Sequence, residues 1–123
     1  DINYTFPYNA PRLLVYHLTS VDIRYAYNGA QAKGGQQIYV FHFRVDNSNG
    51  IDISPGYGYD YIRLIVNGSP RSPMANTLPY TFTHGKSGVV GEVAFAAPVG
   101  MKSATLDFLV QFGSGGTNYT VQM

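Results

Sequence analysis

The chain contains no cysteine. Disulfide staples and thiolate metal centres are excluded, so stability has to come from packing and backbone pairing. Charge is scarce as well. Only 12% of residues are Asp, Glu, Lys or Arg, against about 25% in an average soluble domain. The net charge is +1, and Lys33, Lys86, Lys102 and the arginines are scattered along the chain. Without a basic stripe there is no electrostatic case for nucleic acid. No apolar run reaches the ~20 residues of a membrane-crossing helix. The chain has a single glutamate, Glu92, which rules out a glutamate pair. No nucleophile elbow occurs, and the glycine string at 113–116 is not followed by a helix that would make it a phosphate loop.

What is present is aromatic and glycine-rich: 11 Tyr, 7 Phe and 14 Gly in 123 residues. That length fits one domain able to bury a real core. Helical periodicity is missing, and apolar residues alternate between Gly/Pro/Asn clusters. Residues 1–8 place Ile2, Tyr4, Phe6 and Tyr8 on one face, with Pro7 arguing for a sheet edge. Residues 12–27 read as a long strand, bent or bulged, in which Leu13, Val15, His17, Thr19, Val21, Ile23 and Tyr25 share a phase. Residues 28–36 read as a loop.

Residues 37–45 give the strongest strand signal. Tyr39, Phe41, Phe43 and Val45 face one way, and Ile38 and Val40 on the other face predict a central position. In 57–66, Ile62, Leu64 and Val66 are expected inward and Tyr59, Tyr61 and Arg63 outward. Asn67-Gly68 is a hairpin signal, because both residues tolerate positive φ. Residues 79–84 and 88–96 are expected to pair around GKSG. Ala104, Leu106, Phe108, Val110 and Phe112 form a further inward stripe, and Tyr119, Val121 and Met123 another. Eight or nine short strands with turns about every 8–12 residues predict an all-β, immunoglobulin-like antiparallel sandwich.

Two segments carry a family likeness: IYVFHFRVDNSNG, and HGKSGVVGEVAFAAPVGMKSATLDF with its Gly91-Glu92-Val93-Ala94-Phe95 run and Pro98. From about Val15 to Val110 the chain resembles the immunoglobulin-like extracellular domains of bacterial and archaeal lipoproteins and secreted proteins, of the DUF4352 and MPT63-like types. The resemblance implies a sandwich fold and a place outside the cytoplasm. It implies no catalytic residues. Residues 1–10 and 117–123 fall outside it, and the lipobox cysteine of the lipoprotein members is missing.

Asn3, Asn67 and Asn118 each head an N-x-S/T triplet and are candidate N-glycosylation sites, although such triplets also arise by chance. His17, His42 and His84 lack zinc-ligand spacing. The run Asp46 to Asp52 alternates oxygen-bearing side chains around Gly50 but lacks the closing Glu of a calcium loop, and it equally suits a polar turn. Asp22, Asp46, Asp52, Asp60 and Asp107 include no pair marked out for catalysis. Tyr57, Tyr59 and Tyr61 are a candidate contact surface for a protein or glycan, or an aromatic ladder on an exposed face.

The N-terminal segment is the most telling. Residues 1–10 read as an extended strand plus linker, and 11–123 as the sandwich. Ile2, Tyr4, Phe6 and Tyr8 are candidate donor-strand anchors. The strand either folds back into its own sheet or completes a neighbour's sheet. The sequence thus predicts a secreted structural protein with no enzymatic activity, cofactor or metal. It would act after loss of a signal peptide, self-associating into an extracellular filament or surface assembly. The alternative is a monomeric secreted or cell-surface module that binds a protein or glycan.

Overall fold

The computed structural model describes residues 2–6, 12–109 and 116–123, and for 2–6, 12–13 and 116–117 the backbone alone. Among these residues the strands are β1 (Ile2–Phe6), β2 (Arg12–Arg24), β3 (Ala26–Tyr27), β4 (Ala30–Gln31) and β5 (Gln36–Asp46). A helical turn α1 (Gly58–Tyr61) leads into β6 (Ile62–Val66). Then follow β7 (Ser69–Arg71), β8 (Ala75–Asn76), β9 (Val89–Pro98), β10 (Ser103–Leu109) and β11 (Gly116–Gln122). A five-stranded sheet, β1-β2-β5-β9-β8, packs on a four-stranded sheet, β11-β10-β6-β7, and β3-β4 form a small hairpin. Every pairing is antiparallel. The protein is an all-β sandwich, and no described helix is long and apolar enough to cross a membrane.

The core follows from alternation. Tyr39, Phe41, Phe43 and Val45 of β5 meet Ile62, Leu64, Ala104, Leu106 and Phe108 from the opposite sheet. Tyr16 sits among Phe43, Tyr61, Phe82 and Phe108 with ring centroids 5.1–6.2 Å away, all near edge-to-face. Such packing suits rings with a negative face and a positive rim. Ile38 and Val40 are also buried, in a second small cluster with Tyr27 and Ala94. The central position read for β5 is therefore observed, between β2 and β9.

The bulge expected in 12–27 lies between Leu18 and Ser20, where the register against β5 shifts. One extra residue reverses the facing. Leu14 and Tyr16 are buried before it, and Val21 packs on the core after it. The single shared phase read for this stretch is thus broken at the bulge, and Ile23 and Tyr25 are exposed. Asn67-Gly68 makes the expected turn between β6 and β7, with φ of 50° and 79°. Residues 28–36 are less of a loop than expected, because Asn28-Gly29, with φ of 49° and 81°, closes the β3-β4 hairpin.

Two further strand expectations fail. Residues 79–84 do not pair with 88–96. β9 pairs with β5 and with the two-residue β8 instead. The chain stays bonded to β9 at Thr77, and the Asn76 side chain bonds both the N–H and the C=O of Leu78, closing a local turn. Phe82 then makes an isolated bridge to Ile53. Val110 and Phe112 lie outside the described residues. In β11, Tyr119 and Val121 pack on the core, whereas Met123 is exposed.

Candidate functional site

The N-terminal strand lies at an edge of the five-stranded sheet, as Pro7 suggested. β1 pairs with β2 of the same chain: Ile2 sits opposite Tyr16, Tyr4 opposite Leu14 and Phe6 opposite Arg12. Tyr8 lies outside the described residues. β1 lines only the Arg12–Tyr16 part of β2, and among the described residues no strand pairs with that side of β2 farther on. There, a shallow groove of about 440 Å³ opens between the sheets, lined by Leu18 to Val21 and by Val121 to Met123. β11 forms the edge of the second sheet on that side of the groove.

The three candidate tyrosines do not act together. Tyr57 and Tyr59 are 52% and 44% exposed, but Tyr61 is 2% exposed. The reason is local. Residues 58–61 form a helical turn rather than a strand, capped by Asp60 Oδ2 accepting from the Tyr57 N–H at 2.7 Å. A turn does not alternate, so Tyr61 swings into the core, where its hydroxyl meets that of Tyr16 at 2.7 Å. Its expected surface role is corrected to a core role. The exposed partner of Tyr57 is Tyr80, at 5.1 Å between centroids and 69° between planes. Nothing in the sequence near Tyr80 set it apart.

Of the glycosylation candidates, Asn67 is exposed in the β6-β7 turn and Asn118 is exposed on edge strand β11. Asn3 lies in β1 opposite Val15.

Each histidine has an acidic partner. His17 Nε2 lies 2.8 Å from Asp46, His84 Nδ1 2.7 Å from Asp52, and His42 Nε2 2.5 Å from Asp22. The other His42 nitrogen lies 3.6 Å from Glu92, which accepts a hydrogen bond from the Tyr27 hydroxyl at 2.5 Å. Arg24 closes this chain by bonding Asp22 and lying 5.3 Å over the Tyr27 ring. His42 thus lies between two carboxylates, hydrogen-bonded to Asp22 through Nε2 and 3.6 Å from Glu92 through Nδ1.

Electrostatics follow the same contacts. The Arg24 guanidinium holds the Asp22 carboxyl below its ordinary range. The Gly88 N–H, then His17, does so for Asp46, and the backbone and ring of His84 do so for Asp52. Burial, then Glu92, pushes the Tyr27 phenol up to about 12. Among the described residues no group of three His, Cys, Asp or Glu could hold a metal ion. In the Asp46–Asp52 run, the buried Asn47 side chain donates to the carbonyls of Ile51 and Phe82. The run is tied by hydrogen bonds in the manner of a polar turn.

The pairings of His17, His42 and His84 span 20 to 32 residues, so local patterns gave no sign of them. No protein-family model, curated protein or solved structure matches this chain.

Proposed function

We propose that the protein is a non-enzymatic secreted structural subunit of an extracellular filament or surface assembly, joined to its neighbours by exchange of β1. The observation that carries this reading is the placement of β1. It is an edge strand attached through antiparallel pairing to one short stretch of β2. A second copy's β1 can make the same five register pairs in trans, so exchange conserves the backbone bonding. Head-to-tail exchange that does not close on itself generates an open fibre. Low charge and many tyrosines suit subunit packing. Extracellular placement, the immunoglobulin-like class and glycans on Asn67 or Asn118 belong to the same reading.

The test is removal of residues 1–8. The truncated protein should stay unpolymerised, and a peptide of those residues should bind it. Fibres formed by the truncated protein would overturn strand exchange. The second reading is a monomeric binding module, favoured by the half-exposed Tyr57, Tyr59 and Tyr80. It predicts a single small species in solution at all concentrations, measured by light scattering.

A further inference from the structure

We infer that Tyr57 and Tyr80 form a saccharide-binding platform that takes the apolar face of a neutral pyranose. This specifies the ligand class of the binding-module reading, and it holds or fails independently of polymerisation.

The argument starts from exposure. Tyr57 is 52% and Tyr80 49% exposed, so neither ring serves mainly to fill the core. Their segments are nevertheless clamped together. Ile53 and Phe82 exchange backbone hydrogen bonds of 3.0 and 2.7 Å. The hydroxyls of Ser54 and Thr81 meet at 2.8 Å. On the far side of Tyr57, its N–H donates to Asp60 Oδ2 at 2.7 Å and its C=O accepts from the Asp60 N–H at 2.8 Å.

Two half-exposed rings lying at 69° to one another make an aromatic corner open to solvent. A pyranose is amphipathic: one face presents C–H groups, and its rim presents hydroxyls. Tyrosine matches that character, offering a rigid apolar ring with a polar tip at low conformational cost. The Ser54 and Thr81 hydroxyls and the exposed Asp60 carboxylate border the corner in sequence and can bond the sugar rim. A few polar groups beside an apolar platform are what orient a small ligand. Because the clamps hold the backbone that carries both rings, only side-chain ordering remains to be done on binding.

Saturation-transfer NMR tests this on the whole protein, whether single or polymerised, with cellohexaose, chitohexaose and mannohexaose as probes. Irradiating aromatic protons should transfer signal to ring C–H protons of at least one probe. Tyr57→Ala and Tyr80→Ala should each weaken that binding at least about tenfold, or about 1.4 kcal/mol. Tyr57→Phe keeps the ring and should bind within about threefold of the parent, a change of under about 0.7 kcal/mol. Thermal melting matched to the parent verifies that each variant is folded. No transfer to any of the three probes, or transfer unchanged in both alanine variants, overturns the proposal.

Discussion

Tyr59 and Tyr61 are two residues apart, yet replacing each by alanine should have opposite consequences. Tyr61 is 2% exposed, with Tyr16 at 6.2 Å and Phe108 at 6.0 Å between ring centroids. A buried aromatic side chain hides about 150–250 Å². At about 25 cal/mol per Å² this amounts to roughly 4–6 kcal/mol, an upper bound because unfolded chains already bury some surface. Aromatic-to-alanine changes in cores cost about 3–5 kcal/mol, which agrees. For a domain of this size the loss lowers the melting temperature by about 12–20 °C. Tyr59→Ala should change stability by less than about 0.5 kcal/mol. Tyr61→Phe retains the ring and loses the bond to Tyr16, for about 0.5–1.5 kcal/mol. Urea unfolding of the three variants, with slopes checked for constancy, provides the assay. A Tyr61→Ala loss below about 1 kcal/mol, or an equal loss for Tyr59→Ala, would refute the helical turn that separates their fates.

Three further outcomes follow from the contacts. Asn47→Ala strips a donor from the carbonyls of Ile51 and Phe82 and should cost more than about 2 kcal/mol in urea unfolding. Asp22, Asp46 and Asp52 have folded pKa values below their ordinary 3.8, so the unfolded chain binds more protons as acidity rises. Their stabilisation is present above that value and is lost as pH falls through the folded values; Asp46→Asn should flatten the acid limb of stability against pH. Tyr27 behaves oppositely, since its folded pKa is raised from 10 to about 12. Its contribution is intact below pH 10 and is lost as pH rises toward 12, and tyrosinate absorbance should show a late-titrating phenol that Glu92→Gln shifts downward.

The sequence made regular strands legible where alternation was long. In β5, and in β10 as far as Phe108, a run of inward aromatics and aliphatics has one consistent explanation, a core face. The two Asn-Gly turns show the limit. Asn67-Gly68 follows the clear alternation of β6, whereas Asn28-Gly29 joins strands of two residues each, too short to alternate. The turn that buries Tyr61 is not legible in the sequence, because Tyr57 is a poor helix-cap residue by type, and only its backbone bond to Asp60 reveals it. Residues 79–84 come after the turn that the Asn76 side chain closes on Leu78, a local effect that strand patterns do not encode. Tyr57 was legible as a surface residue. Its partner Tyr80 lies 23 residues on and is brought beside it by the Ile53–Phe82 bridge.

The central claim is that this sandwich is a building block. Negative-stain electron microscopy of the purified full chain tests it most directly. Long fibres of uniform width, lost when residues 1–8 are removed, are the predicted result. A field of single small particles at every concentration would contradict the structural-subunit account.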